Sequence, residues 1–216
     1  MTVEFGTAQE QALAAVRRLL VTARLRPGQR VLQDEIAQTL GMSVAPLREA
    51  LRVLEQEGQL TYFPRRGYFV TELRAGDLDE IYGLRAILEA RAIREGRERL
   101  GDPALTERLK SADAACLDAA EAGDVARGLA ANRAFHFALF ETAERPHLLK
   151  LIKLLWDSSE VYRALYYSAP VERNAAARAH RRIVSAARAG DVDRLLEEID
   201  AHRTRALEAL RRILPP

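Results

Sequence analysis

The sequence predicts a mainly α-helical protein in two parts: three short helices with a β-hairpin, followed by an antiparallel bundle of six helices. Three observations carry this prediction. Apolar residues recur at helical spacing through most of the 216 residues. Two short runs, 60–63 and 68–71, are instead aromatic and β-branched, as is typical of strands. Strand-like alternation almost disappears after residues 72–76, which indicates a domain boundary there.

The first domain, residues 1–73, opens with three short helices. Apolar residues share one face over 8–24, and Arg26-Pro27-Gly28 ends that helix. The second helix spans 33–40 and closes at Gly41, the expected glycine after a helix end. Ser43 is a good N-cap for the third helix, which continues to about residue 57.

Residues 64–67, Pro-Arg-Arg-Gly, join the two strand-like runs and predict a β-hairpin. Two helices, a short turn, a third helix and a two-stranded wing occur in this order in a winged helix-turn-helix. In that fold the third helix presents its N-terminal end to the major groove of DNA. The sequence therefore predicts a DNA-binding domain over 1–73.

The second domain, residues 74–216, reads as helix throughout. Asp102-Pro103, Gly123-Asp124 and Gly190-Asp191 are typical of helix junctions, because glycine ends helices and aspartate caps their starts. Short loops between consecutive helices favour an antiparallel bundle. The predicted helices are 77–100, 103–122, 125–142, 146–168, 172–189 and 192–213.

Composition excludes some classes of protein and favours none. Lys+Arg 33 against Asp+Glu 31 leaves a net charge of +2, so bulk charge gives no reason to propose a nucleic-acid or membrane partner. No apolar run approaches the roughly 18 residues of a membrane-spanning helix. The single cysteine, Cys116, excludes an internal disulfide and fits a reduced cytoplasm. We therefore expect a cytoplasmic protein without a membrane partner.

Candidate DNA contacts come from the local pattern of the third helix and the hairpin. The core-facing positions of the helix leave Ser43, Val44, Arg48 and Arg52 on its outer side. Arginine there can chelate the O6 and N7 atoms of guanine or bind a phosphate, and Arg65 and Arg66 at the hairpin tip can contact the DNA backbone or the minor groove. The alternative for each arginine taken singly is a solvated surface charge.

The stretch from Leu25 to Val70 resembles the bacterial GntR-type transcriptional regulators, in their FadR-like branch. It holds a PG turn, a DEIA helix, S-V-A-P-L-R-E-A-L and R-R-G-Y-F-V, in the order of the family pattern. The resemblance implies that Ser43, Arg48, Arg65, Arg66 and Gly67 contact DNA. Many members carry arginine where this chain has Val44, which can pack against a thymine methyl group but cannot hydrogen-bond a base.

Polar residues interrupt the apolar faces of three bundle helices. Asn132 and His136 lie in a stripe with leucine and phenylalanine, and His180 and His202 each share a face with alanine and isoleucine. One interpretation is a set of hydrogen-bonded core histidines. A second is a shared cation such as zinc or nickel, and a third is a polar cavity that binds a ligand or water directly.

The second domain resembles the helical ligand-binding domain of FadR-like regulators, the FCD domain. The resemblance rests on N132-R-A-F-H136, A179-H180-R and A201-H202-R, and it implies that Asn132, His136, His180 and His202 hold a divalent metal, with zinc expected and nickel or manganese as alternatives. The run I81-Y-G-L-R-A-I-L-E89 looks like the first helix of that domain. Arg85 in this run is a candidate partner for an effector carboxylate; the alternative is a surface salt bridge with Glu89.

These patterns predict a transcriptional regulator, with repression the commoner mode in the family. We expect a homodimer that binds double-stranded operator DNA and is nucleoid-associated when bound, its affinity controlled by a small organic acid near the metal. A metal-dependent hydrolase and a direct metal sensor are the alternatives. The hydrolase is disfavoured because we expect no Glu or Asp on the inner faces near the histidines, and no HExxH or GxSxG motif is present.

Overall fold

The computed structural model describes residues 7–214 and confirms the predicted fold class. Within that range the chain forms ten α-helices and one two-stranded sheet. The chain divides into two compact units that meet between Leu73 and Arg74. Residues 1–6 and 215–216, at the outer ends of the two predicted domains, lie outside the described residues.

The first unit has the winged helix-turn-helix order. Its elements are α1 (Ala8–Val21), α2 (Gln33–Leu40), α3 (Val44–Gln56), β1 (Leu60–Phe63) and β2 (Gly67–Val70). Thr7 and Glu10 form a reciprocal capping box at the start of α1. Gly41 ends α2 in the left-handed conformation, with φ +65°, which glycine adopts without the steric cost of a Cβ.

The core of this unit lies between α1 and α3. Leu47, Leu51 and Leu54 point inward from α3 and are fully buried. Arg17 of α1 donates two hydrogen bonds to the Glu57 carboxylate, at 2.5 and 2.6 Å, just beyond the end of α3. These contacts fix α3 so that its opposite face stays exposed.

The wing is an antiparallel pair in which Leu60 lies opposite Val70. A preceding segment of the chain runs along β2, since the Val31 N–H donates to the Tyr68 carbonyl at 2.8 Å and the Val70 N–H donates to the Gln29 carbonyl at 2.9 Å. This segment holds the hairpin beside the start of α2.

The second unit is entirely helical among its described residues. Helix α5 packs on α6 and α9, whereas α4 packs on α7 and α10. The bounds are α4 (Ala75–Glu95), α5 (Pro103–Glu121), α6 (Val125–Phe140), α7 (Pro146–Ser158), α8 (Glu160–Ser168), α9 (Pro170–Ala189) and α10 (Val192–Arg211). Aspartates 102, 124 and 191 cap α5, α6 and α10 through their side chains, as the junction motifs predict.

The predicted helix 146–168 is wrong: it is two helices, so the described part of the second unit holds seven α-helices and not six. The break falls at Ser159, whose hydroxyl donates to the Leu155 carbonyl at 3.0 Å. Arg163 Nη1 donates a hydrogen bond to the Trp156 carbonyl at 2.6 Å. These side-chain bonds satisfy groups at the helix end, so the chain breaks without proline or glycine.

Candidate functional site

The outer face of α3 carries the three polar residues expected there. Ser43 occupies the N-cap position, is exposed, and makes no side-chain hydrogen bond to the helix start. Arg48 is exposed, and its Nε donates to Gln33 Oε1 over 3.4 Å. Arg52 pairs with Glu49 at 3.0 Å, with 59% of its side chain exposed. None of these contacts is buried, so the side chains are held loosely and remain available to a ligand.

The wing tip presents its two arginines differently. Arg65 has φ +63°, a left-handed conformation that a non-glycine residue adopts at a cost. The Arg66 N–H closes the turn on the Phe63 carbonyl at 3.0 Å. The Arg66 guanidinium lies 5.6 and 5.2 Å from the ring centres of Phe63 and Phe69, and this stacking orients it.

A surface depression of about 370 Å³ joins α2, the start of the wing and α3. It brings together Arg48, Arg66 and Gly67 among the predicted residues, and adds Arg30, which the sequence analysis missed. Ser43, Arg52 and Arg65 do not line it. Arg30 lies here because its backbone forms an isolated antiparallel β-bridge with Phe69 of β2. The local sequence pattern does not reveal this long-range pairing.

The three inward histidines of the second unit meet. His136, His180 and His202 each offer a ring nitrogen within 4.8 Å of the others, and 8% or less of each residue is exposed. The rings of His136 and His202 are stacked with centres 5.1 Å apart. The structure therefore brings these predicted ligands from α6, α9 and α10 to one point.

The hydrogen bonding of these imidazoles fits a metal centre. His180 Nδ1 lies 3.0 Å from Asp113 Oδ1, and a carboxylate bound to one ring nitrogen is the usual way in which a metal-binding histidine is held in position. That other nitrogen, His180 Nε2, is buried without a partner among the described residues, and so is His202 Nδ1. Buried polar atoms normally have partners, so these two unpartnered nitrogens are compatible with the ligand set of a divalent cation.

Charge state agrees with this fit. Burial, and then the neighbouring histidines, hold the pKa of His136 well below its ordinary value, and burial and His180 do the same for the pKa of His202. Both rings are therefore neutral near pH 7, which is the form that binds metals.

Asn132 is buried beside this cluster. Its Oδ1 accepts a hydrogen bond from the Tyr167 hydroxyl at 2.6 Å. An amide oxygen has a second lone pair, so this bond fixes the side chain and leaves one acceptor direction open. Asn132 lines the same cavity as His136 and His202.

Arg85 lies in that cavity too and forms the salt bridge with Glu89 that was its alternative interpretation, but the pair is buried and not at the surface. Its residue exposure is 4%, and its Nε donates to Glu89 Oε1 at 2.8 Å in a buried ion pair. Trp156 Nε1 donates to the same oxygen at 2.8 Å, and Arg203 donates to the other oxygen at 3.0 Å. Both oxygens of Glu89 thus have partners, while Arg85 Nη1 is buried without a hydrogen-bond partner among the described residues.

Arg163 is a buried cation whose hydrogen bonds go to neutral oxygens. Its Nη1 donates to the Trp156 carbonyl at 2.6 Å and to Ser159 Oγ at 2.9 Å, and its Nε has no partner in the described range. Burial, and then the charge of Arg85, lower its pKa to about 10. It therefore remains charged near neutral pH.

The cavity itself has a volume of about 20 Å³, room for about one water molecule. Three arginines and one carboxylate, Glu89, line it among the described residues. The excess of positive charge faces the predicted metal ligands. Its lining is Tyr82, Arg85, Glu89, Asn132, His136, Trp156, Arg163, Tyr166, Tyr167, Ile199, His202, Arg203 and Ala206.

The expectation that no acid faces the histidines is wrong. Asp113 contacts His180, and Glu89 lines the cavity with His136. Asp113 could not be predicted from the local pattern, because its partner His180 lies 67 residues away in the sequence. Arg163 and Arg203 were also missed, although Arg203 directly follows a predicted ligand; nothing local distinguishes either from the many surface arginines.

Two family models match the chain. "Bacterial regulatory proteins, gntR family" matches residues 8–70, and "FCD domain" matches residues 80–205. An HTH-type transcriptional regulator of Bacillus subtilis, YdhC, is 28% identical over 92% of this chain and 89% of its own length. A probable D-xylose utilization operon transcriptional repressor of Paenarthrobacter nicotinovorans is 33% identical over 87% of this chain and 81% of its own length.

A solved structure is also similar. The chain of E. coli McbR/YncC superposes with a TM-score of 0.81 and 26% identity, covering 96% of this chain and 99% of that one.

The winged helix and the helical second unit, together with these relatives, define a DNA-binding transcriptional regulator and not an enzyme. The chain belongs to the GntR family, in the group whose second domain is an FCD domain. No helix among the described residues is both long and apolar enough to cross a membrane.

Proposed function

We propose that this regulator binds operator DNA as a homodimer, and that a small carboxylate bound beside a divalent metal in the second unit controls that binding. The observation that carries the proposal is the buried cavity of about 20 Å³, in which His136 and His202, two members of the three-histidine cluster, face three arginines. Because the cavity holds about one water, a larger ligand must select a more open conformation, which is how ligand binding shifts a population of states.

His136, His180 and His202 would hold the metal, with Asn132 Oδ1 as the fourth candidate ligand. A divalent cation there supplies positive charge and a coordination position for an oxygen ligand; zinc suits this donor set, and nickel or manganese are alternatives. Arg85 and Arg163 would bind the carboxylate, since each is buried with an unpartnered donor nitrogen. A charged donor left unpaired in a cavity is stabilised strongly by an anion.

The Asp113→Asn variant tests the metal site without removing a ligand. Asparagine keeps the size of the side chain but loses the charge that orients His180, so we expect zinc affinity to fall by about 10- to 100-fold. The measurement is zinc binding by competition with a chromophoric chelator, with Asp118→Asn as an exposed control on the same helix. Equal zinc affinity in all three proteins would contradict the assignment of His180 as a ligand.

On the first unit, Ser43, Arg48, Arg52, Arg65, Arg66 and Gly67 form the proposed DNA surface, with Arg30 added by the structure. Arg65 is the one of these residues, glycine apart, that has a positive φ, and its side chain is exposed at the wing tip. A strained backbone conformation at an exposed tip favours a functional role.

We expect Arg65→Asn to keep the fold and weaken DNA binding. Asparagine tolerates positive φ, so the melting temperature should stay within about 2 °C of wild type or rise. Loss of a phosphate contact should lower the slope of log affinity against log salt by about one for each wing. Fluorescence anisotropy across a salt series measures the slope, with Arg97→Asn matching the charge change elsewhere; an unchanged slope would remove Arg65 from the interface.

A direct metal sensor is the second candidate, because it uses the same histidine cluster. The metal sensor and the carboxylate-controlled regulator differ in which ligand changes the affinity for operator DNA. Zinc alone changes it in a sensor, whereas a carboxylate must be added to zinc in the proposed mechanism.

A further inference from the structure

One face of α4 is exposed although its residues are apolar. Ile87 is 67% exposed and Leu84 is 44% exposed. Helix α7, which packs on α4, also exposes Leu151 and Leu154, by 51% and 45%. The two helices run antiparallel, because Arg145 pairs with Glu95 at one end and Arg85 stacks on Trp156 at the other. Four large apolar side chains thus occupy adjoining helices, and an exposed patch of this kind marks an interaction surface.

The charges on α4 identify the partner. Glu80 and Arg91 are exposed on the same face as Leu84 and Ile87, and both pairs are symmetric about the same midpoint, between residues 85 and 86. If a second α4 packs antiparallel across a twofold axis at that midpoint, Leu84 meets the partner's Ile87 and Glu80 meets the partner's Arg91. A self-complementary pattern is what a twofold homodimer interface requires.

Two further observations agree. Asp77 and Arg94 are also exposed and are symmetric about the same midpoint, so the acidic half of α4 would face the basic half of its partner. Gly83 lies on this face in mid-helix, and a Cβ added there would meet nothing within 4 Å in the described subunit. Glycine costs about 1 kcal/mol relative to alanine in a helix, and nothing within the subunit requires it. Close approach of a second helix explains it.

We infer that a second copy of this chain docks on the α4 face, antiparallel to α4 and flanked by Leu151 and Leu154 of α7. The inference rests on the homodimer of the proposed function and specifies its surface. Apolar contact at Leu84 and Ile87 supplies affinity, and the end charges fix the antiparallel register, because a parallel arrangement would place like charges together.

Charge exchange tests the register. Glu80→Arg alone and Arg91→Glu alone each place two like-charge contacts in the interface, and each should raise the dimer Kd by about tenfold or more. The double variant restores both contacts in its own homodimer. An equimolar mixture of the two single variants restores them in a heterodimer. Both should recover the wild-type Kd to within about threefold, measured by sedimentation equilibrium of the full chain.

Ile87→Lys tests the apolar centre, with an expected rise in dimer Kd of about 100-fold. Glu121→Arg, at the exposed end of α5, matches the charge change of Glu80→Arg and should leave the Kd unchanged. Circular dichroism checks that each variant folds; all the altered side chains are exposed. A dimer that is insensitive to both Ile87→Lys and Glu80→Arg overturns the surface but leaves the proposed homodimer intact. A wild-type chain that is monomeric at all concentrations overturns both.

Discussion

Replacement of Arg48 by alanine is expected to lower operator affinity by about 100-fold or more at physiological salt. One lost base or phosphate contact costs about 1–3 kcal/mol, and a dimer loses it twice. The side chain is exposed on the outer face of α3, and its hydrogen bond to Gln33 is long, at 3.4 Å. Folding therefore does not depend on it, and the loss should appear in DNA binding alone.

The test uses DNA that flanks the regulator's own gene, with Kd measured by anisotropy from 50 to about 200 mM salt. Arg97→Ala, an exposed arginine of the second unit, controls for net charge. If Arg48→Ala and Arg97→Ala bind equally tightly, α3 is not the recognition helix for that DNA. If neither the variants nor the wild type binds it, the fragment is not the operator, and a random-sequence selection replaces it.

The Arg163→Met variant is expected to lose the carboxylate response and keep operator binding in the absence of ligand. At a concentration 100-fold above Kd, a carboxylate stabilises the wild-type protein by about 2.7 kcal/mol. That is a rise of roughly 5–10 °C in melting temperature for a chain of this size. Loss of a charged hydrogen bond to the ligand weakens binding by about 100-fold, which reduces the stabilisation to about 0.4 kcal/mol.

The probes are succinate and citrate, with zinc present and chloride at matched ionic strength as the reference. Arg163→Lys keeps the positive charge but loses the planar donors, so it should recover part of the shift. Arg182→Met removes an exposed arginine of α9 and should behave as wild type. A full shift in Arg163→Met would show that the anion binds elsewhere; no shift in wild type with either probe, followed by none across a broader acid panel, would contradict the anion site.

The first unit was predictable because its signals are local. Gly41, Pro27 and the Pro64–Gly67 turn each fix the backbone where they stand, and the bounds of α2 agree with the prediction residue for residue. The break at Ser159 was not predictable, because it depends on a hydrogen bond from Arg163 and on no proline or glycine.

The residues that line the cavity were likewise only partly predictable from local sequence signals. Helical spacing placed Asn132 and the three histidines on inward faces, and the structure brings the three imidazoles together. Periodicity says which face a residue occupies but not which distant residue meets it. Glu89 binds Arg203 across 114 positions, and Asp113 reaches His180 across 67. The charge balance of the cavity therefore emerges only when α4, α5, α9 and α10 are packed.

The most direct test of the central claim is the operator Kd of the zinc-loaded wild-type chain with and without succinate or citrate, beside Arg163→Met. Control of DNA binding by the cavity predicts a change of at least about fivefold in wild type and none in the variant. An unchanged wild-type Kd, with carboxylate binding demonstrated in the same sample by its thermal shift, would contradict the claim. A Kd that changes with zinc and not with carboxylate would identify the chain as a metal sensor.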